Sequence, residues 1–346
     1  MRAAVYDGAG GLKLVNREKP LPGDGEILVR VAASGVCHSD VHLLKSELLP
    51  VQEGFVLGHE VSGWVEALGP GTTNSYGLSP GDQVVVSWIL PCGKCRYCAT
   101  GKENYCRTSL SRMTGIMGIQ GGHADYLAVP EIGVIPLAKG VDVHLAAPIS
   151  CAYGTAYNAL KNAGAGPSQS LVVVGTGGVG SSAVQLASAM GMYPIIAVDV
   201  VPEKLEKVQR LGATHVVDAS KGEVASAVNE LLPEGADVVY ETKPNPDLQL
   251  AMDVISRAGT IVVTGLGSQG SGFSVPTNLF VNKGIRIVGS LGYRPRIDLP
   301  ELVTMVASKR LDPSKLITHR YSPERIGEAY ANLEKGLHLR AIVDWN

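Results

Sequence analysis

The stretch "LVVVGTGGVGSSAVQLASAMG", residues 171–191, admits few folds. An apolar run of strand length leads straight into Gly175, Gly177 and Gly180 in G-x-G-x-x-G spacing, and a helical pattern of small residues follows at once. In that setting the first glycine permits a tight turn. The second lets backbone approach a pyrophosphate, the third brings helix against strand, and the helix N-terminus offers N–H donors and a favourable dipole. Asp199 closes the next apolar run, nineteen residues past Gly180. An acidic side chain there hydrogen-bonds the ribose hydroxyls of a dinucleotide and repels a 2′-phosphate, and Val200 beside it offers no compensating cation. NAD rather than NADP is the expected cofactor. Lys204 either reaches the same ribose or is a solvated residue of the helix "PEKLEKVQRLG".

The surrounding texture fixes the fold class. From about residue 170, strand-length apolar runs ("SLVVVG", "PIIAVDV", "HVVDA", "ADVVYE", "GTIVVTG", "IRIVGS") alternate with helical segments, the signature of parallel βαβ units in a doubly wound sheet of about six strands. Residues 1–152 read instead as short runs such as "EILVRVAASG" and "DQVVVSW" between Gly, Pro and Asp turns, a β-rich domain. The expected division is therefore α/β overall: a β-rich domain 1–152, a Rossmann domain 153–290, and a segment 291–346 that ends in "RAIVDW" and returns to the first domain. No charge falls between Lys161 and Asp199, yet "GPSQS", "GTGGVGSS" and Pro194 interrupt that run, so it is not expected to span a membrane.

With 346 residues, a formal charge of −2 and no basic or acidic block, the chain has no field to gather nucleic acid; a small-molecule ligand suits it better. The opening "MRAAVYDGAG" lacks the apolar core of a secretory signal, so a cytoplasmic, reducing compartment is expected. The six cysteines there are thiols or metal ligands. Cys92, Cys95, Cys98 and Cys106 form C-x2-C-x2-C-x7-C on one loop, a donor set for a closed tetrahedral zinc of structural role. Disulfides or an iron–sulfur cluster are the chemical alternatives. Cys37 in "GVCHSDVH", His59 in "GHE" and Cys151 in "APISCAY" would complete a Cys2His set with an open fourth position, but no spacing demands it, and either cysteine alone reads as a small buried hydrophobe.

Taken together, "GVCHSDVH", "GHE", the four-cysteine loop, "APISCAYGTAYNAL", "GTGGVG" with Asp199, and "LRAIVDW" resemble the zinc-containing alcohol dehydrogenase family of medium-chain type over essentially the whole chain. The resemblance implies a GroES-like β domain with both zincs, a Rossmann domain, a C-terminal return, and the homotetramer of microbial members. It implies that Cys37, His59 and Cys151 hold a catalytic zinc, with Asp40 orienting His59 and Glu60 beside the metal. Ser39 would take the proton of the alcohol and pass it by way of the cofactor ribose to His42. The cofactor contacts it implies are His38, Thr155, Gly178, Val179, Leu266, Ser290, Leu291 and Arg340, besides the three spaced glycines, Asp199 and Lys204. Arg340 is read as a pyrophosphate contact, the alternative being a charged surface residue. His38 stands where many animal relatives have arginine, and a neutral imidazole there favours faster NADH release.

The expected activity is reversible hydride transfer between primary or secondary alcohols and NAD. Polyol or threonine dehydrogenases share the scaffold, but Ser39, His42 and Cys151 favour the simple-alcohol branch. A protein that binds zinc and NAD without turnover is the remote alternative. Trp88 and Leu48 or Leu291 are candidate pocket walls, each equally readable as core.

Overall fold

The computed structural model describes residues 1–266, Gly272 and residues 274–346. The chain divides into two compact units, Met1–Gly154 with Tyr293–Asn346, and Thr155–Gly292. The first break falls inside the helix Ala152–Ala163, slightly later than the 152–153 boundary read from sequence. Its cause is packing: a Cβ on Gly154 would stand 2.5 Å from the ring of Tyr293, so the first helical turn belongs with Tyr293.

The first unit is organised by the eleven-residue strand Glu26–Val36. That strand pairs antiparallel with Val61–Leu68, with Tyr126–Pro130 and with the last strand, Arg340–Asp344. A seven-stranded sheet results, in which Ala341 lies opposite Val36. The end of the chain is thus brought beside the residue preceding Cys37. Val29, Val31, Leu57, Val65, Leu127, Val343 and Trp345 are buried in its core. Burying each large apolar side chain contributes roughly 1.5–3 kcal/mol.

The second unit is a six-stranded parallel sheet of β1 (Leu171–Val174), β2 (Ile195–Asp199), β3 (His215–Asp218), β4 (Ala236–Glu241), β5 (Ile255–Val263) and β6 (Arg286–Gly289). Its order is β3-β2-β1-β4-β5-β6, with order reversing beside β1. β1 is wholly buried, as an apolar run without alternation demands when both faces are covered. In such sheets ligands bind beyond the carboxyl ends of the strands at the switch point, and there the glycine turn sits. Among the described residues no helix is long and apolar enough to cross a membrane.

Candidate functional site

In the first unit the side chains of Cys37, His59, Glu60 and Cys151 converge, all buried, with one potential ligand atom from each lying within 4.8 Å of every other. Three features of the backbone bring them together. Cys37 directly follows the long strand and caps the helix His38–Leu44, His59 and Glu60 precede Val61–Leu68, and Cys151 follows the short turn Ala147–Ser150. Asp40, on the helix, accepts a hydrogen bond from the backbone N–H of Cys37 at 3.4 Å, and its other oxygen lies 2.9 Å from Nδ1 of His59. A carboxylate only accepts, so Nδ1 carries the proton and Nε2 keeps a lone pair for a metal.

The electrostatics describe a cluster built for positive charge at its centre. A hydrogen bond from Cys151 holds Cys37 well below the usual thiol value against the effect of burial, with Arg340 and His59 assisting. Cys151, the donor, is pushed well above it by that bond and by burial. Burial works to lower His59, but Asp40 and Cys37 lift it well above the ordinary imidazole value. Two sulfurs and one imidazole suit zinc, and thiolate is the ligand form. Glu60 completes the fit: burial pushes its carboxyl up to about 7, opposed by Arg340. Neither Glu60 oxygen makes a hydrogen bond, although Nη2 of Arg340 lies 3.3 Å from Oε1 as an ion pair. A buried carboxylate so under-satisfied, pointed at three soft donors, is what an intermittent metal ligand requires.

The second cysteine group has the dimensions of one tetrahedral ion. Sulfur separations are 3.6 Å for Cys95–Cys98, 3.8 Å for Cys95–Cys106 and 4.0 Å for Cys92–Cys98. A zinc–sulfur length of about 2.3 Å implies tetrahedral edges of about 3.8 Å. All four are free thiols at non-bonding distance, which removes the disulfide alternative. Burial is overcome at Cys106 by the Thr108 hydroxyl and backbone N–H groups, which bring its thiol to about 6. N–H groups of Lys94 and Cys95 lower Cys92, whereas burial pushes Cys98 up to about 12.

In the second unit each glycine meets the constraint its spacing implies. Gly175 has φ +91°, and a Cβ there would meet Thr242 at 2.8 Å; a Cβ on Gly180 would meet the Gly175 carbonyl at 1.9 Å; Gly177 has nothing within 4 Å. That open position lets a ligand approach the backbone ahead of the helix Gly178–Ala189, which holds Val179 in its first turn. Asp199 also organises the turn, accepting from the N–H and hydroxyl of Thr176 at 2.6 and 2.7 Å. Sequence reasoning missed Thr176. Val200 is 60% exposed, and Lys204 is half-buried on the helix Pro202–Gln209. Ser290, accepting from Asn158 and Asn162, and the adjacent Leu291 follow β6; Leu266, exposed, follows β5; Thr155 is on the helix Ala152–Ala163.

Around the metal cluster, Ser39 Oγ is 3.8 Å from Cys37 Sγ, His38 is exposed, and His42 pairs with Glu47 at 2.5 Å. Arg340 is only 3% exposed, which excludes the surface-residue alternative. Its guanidinium donates to the Val36 carbonyl at 2.9 Å and faces Glu60, a placement beside the cluster that the sequence reading had not assigned. Trp88 stands edge-on to the His59 ring at 6.3 Å and to Tyr293 at 5.9 Å, so it walls the cluster. Tyr293, unread in the sequence, bonds Ser87 at 3.1 Å and is fixed there. Leu48 is 38% exposed.

A β-rich unit with an N/S metal cluster and a separate four-sulfur site, joined in one chain to a dinucleotide fold, defines a zinc-type dehydrogenase. The family descriptions "Alcohol dehydrogenase GroES-like domain" and "Zinc-binding dehydrogenase" match residues 23–139 and 178–308. The chain is 34% identical to an alcohol dehydrogenase of Geobacillus stearothermophilus, over 97% of both chains. It is 33% identical to the NDMA-dependent alcohol dehydrogenase of Amycolatopsis methanolica, over 99% of this chain and 98% of that one. Benzyl alcohol dehydrogenase from Acinetobacter calcoaceticus superposes with a TM-score of 0.91 at 31% identity, covering 99% and 98% of the two chains. The chain belongs to the zinc-containing alcohol dehydrogenase family. It is a zinc-dependent alcohol oxidoreductase that uses a nicotinamide cofactor.

Proposed function

We propose that the protein is an NAD-dependent alcohol dehydrogenase oxidising primary or secondary alcohols reversibly to aldehydes or ketones. The observation that carries this is the buried Cys37–His59–Cys151 cluster with an under-satisfied Glu60 at its edge. Cys37, His59 and Cys151 would hold the catalytic zinc, and Cys92, Cys95, Cys98 and Cys106 the structural one, two ions per chain. When bound, zinc supplies Lewis acidity toward an alcohol oxygen and NAD supplies a hydride acceptor.

The residues of the chain do the rest. Asp40 holds His59 in one tautomer and orientation. Ser39, beside Cys37, receives the hydroxyl proton, and His42, steadied by Glu47, exchanges it with water. Glu60, whose oxygens make no hydrogen bond, would serve as an intermittent ligand to that zinc. Trp88 presents an apolar edge that excludes water from the cluster. Asp199 favours NAD, since Val200 leaves a 2′-phosphate without a counter-charge. His38, at the start of the helix His38–Leu44, and Arg340 are assigned to the pyrophosphate, and Lys204 to the ribose. Thr155, Leu266, Ser290 and Leu291 are assigned to the nicotinamide half. A homotetramer in the cytoplasm completes the reading, by analogy with microbial relatives.

The test is a panel of ethanol, benzyl alcohol, 2-butanol, sorbitol and threonine followed at 340 nm with NAD or NADP, and with NDMA as an alternative acceptor. Metal analysis accompanies it. Two zinc ions per chain and NAD-linked oxidation of simple alcohols, lost on chelation, are expected. A single zinc confined to the four-cysteine group, or turnover only with NADP or NDMA, would refute it.

A further inference from the structure

Asp40 lies at the end of a longer buried chain of hydrogen bonds. Its Oδ2 accepts from the Tyr330 hydroxyl at 2.8 Å. The Tyr330 oxygen lies 2.7 Å from Nε2 of His123, and Nδ1 of His123 lies 2.7 Å from the Ser34 hydroxyl. Ser34 in turn accepts from the indole N–H of Trp345 at 2.9 Å. None of Ser34, Asp40, His59, His123, Tyr330 and Trp345 is more than 5% exposed.

The two ends fix the direction of every bond between them. An indole N–H can only donate and a carboxylate can only accept. With Ser34 accepting from Trp345, its one hydrogen is available to Nδ1 of His123. Because the Tyr330 hydrogen goes to Asp40, its oxygen must accept from His123, so the His123 proton sits on Nε2. A doubly protonated His123 would turn a second donor on Ser34; independently of that, burial brings this imidazole down to about 4.

We propose that Tyr330 and His123 are positioning residues for the catalytic zinc, forming with Ser34 and Trp345 a one-way donor chain that ends on Asp40 and sets the tautomer and aim of His59. This rests on the zinc reading above. The backbone adds a second hold on the same ligand. The His123 ring fills the space a Cβ on Gly58 would take, 2.7 Å away, at a residue of φ +95°. The N–H of His123 donates to the Leu57 carbonyl at 3.0 Å. His123 therefore grips the two residues leading into His59 while its ring feeds the Asp40 behind it. A substitution at either position loosens one metal site and leaves the four-sulfur site alone, which general destabilisation would not do.

Two measurements test this on zinc-loaded full-length protein. In protein labelled with 15N at histidine, nitrogen NMR at pH 7 should find His123 neutral and protonated on Nε2; protonation on Nδ1, or on both nitrogens, overturns the chain. In competition with a chelator, Tyr330→Phe and His123→Leu should lose one zinc roughly tenfold more readily than wild type, the scale typical of groups that orient metal ligands. The second zinc should leave at its wild-type rate, and His123→Gln, which keeps an N–H donor, should restore retention. Equal retention by Tyr330→Phe, His123→Leu and wild type overturns the inference even where wild type carries two zinc ions. Wild type with zinc in the four-cysteine group alone would instead sink the zinc reading, and this inference with it. Should either variant fold poorly, the NMR measurement on wild type decides.

Discussion

A Cβ on residue 35 would stand 1.9 Å from a carboxylate oxygen of Glu60 and 2.7 Å from its Cβ. Gly35 is needed by its neighbour, and Gly35→Ala should displace Glu60 from Arg340 and from the metal cluster. Overpacking of this kind costs about 1–3 kcal/mol. Thermal unfolding should read that loss, and zinc analysis a fall toward one ion per chain. Asp199 has two duties of another kind. In the proposed NAD site it supplies the charge that opposes a 2′-phosphate, and in the structure it holds the N–H and hydroxyl of Thr176 in the glycine turn. Val200→Arg alone should leave NAD preferred. Adding Asp199→Ser should lower the ratio of kcat/KM for NAD over NADP by about 10–100-fold, the equivalent of about 1.4–2.8 kcal/mol. KM for NAD itself should rise as the turn loses its anchor, and an unaltered KM would deny Asp199 its second duty.

Local elements were legible where their chemistry is local. The four cysteines lie on one loop, and strand, glycines, helix and acid lie within one βα unit and the next strand, so spacing alone carries their geometry. The Cys37–His59–Cys151 cluster was half legible: Cys37 and His59 share one stretch, but Cys151 needed the resemblance. Arg340 and Tyr293 went unread as neighbours of the cluster because they come from segments distant in sequence, Arg340 arriving when the last strand pairs with the long one, and no local pattern says that Glu60 packs against Gly35. The four-cysteine lobe illustrates the same limit. Glu103 inside it is 2% exposed and pairs with Arg296 at 2.5 Å, a contact across 193 residues that no local pattern announces. Arg296→Ala would take the guanidinium from that buried carboxylate and leave it the backbone N–H of residue 296, at 3.2 Å, as donor. Removing one member of a buried pair costs about 3–5 kcal/mol, and roughly half that is expected here because water reaches the arginine side, which is 41% exposed. The check is faster chelator release of the structural zinc, with retention of the other ion unchanged.

For the molecule as a whole, acid should act through the buried His123. His123 is brought from 6.5 to about 4 by burial, with the Asp40 charge opposing and His59 adding to the effect. An unfolded chain therefore binds a proton at this position through a range in which the folded chain does not. Wherever the unfolded state holds more protons, stability rises with pH, so the contribution is complete above about 6.5 and is lost as pH falls toward about 4. A shift of that size is worth about 3 kcal/mol, a large share of the stability of a unit of this kind. His123→Gln keeps a donor toward Tyr330 and has no proton to gain. Its unfolding temperature should fall less than that of wild type between pH 7 and pH 4.5, the two proteins being compared with zinc bound. Parallel falls in the two proteins would mean that other groups carry the acid sensitivity, and that His123 is not held neutral by its surroundings.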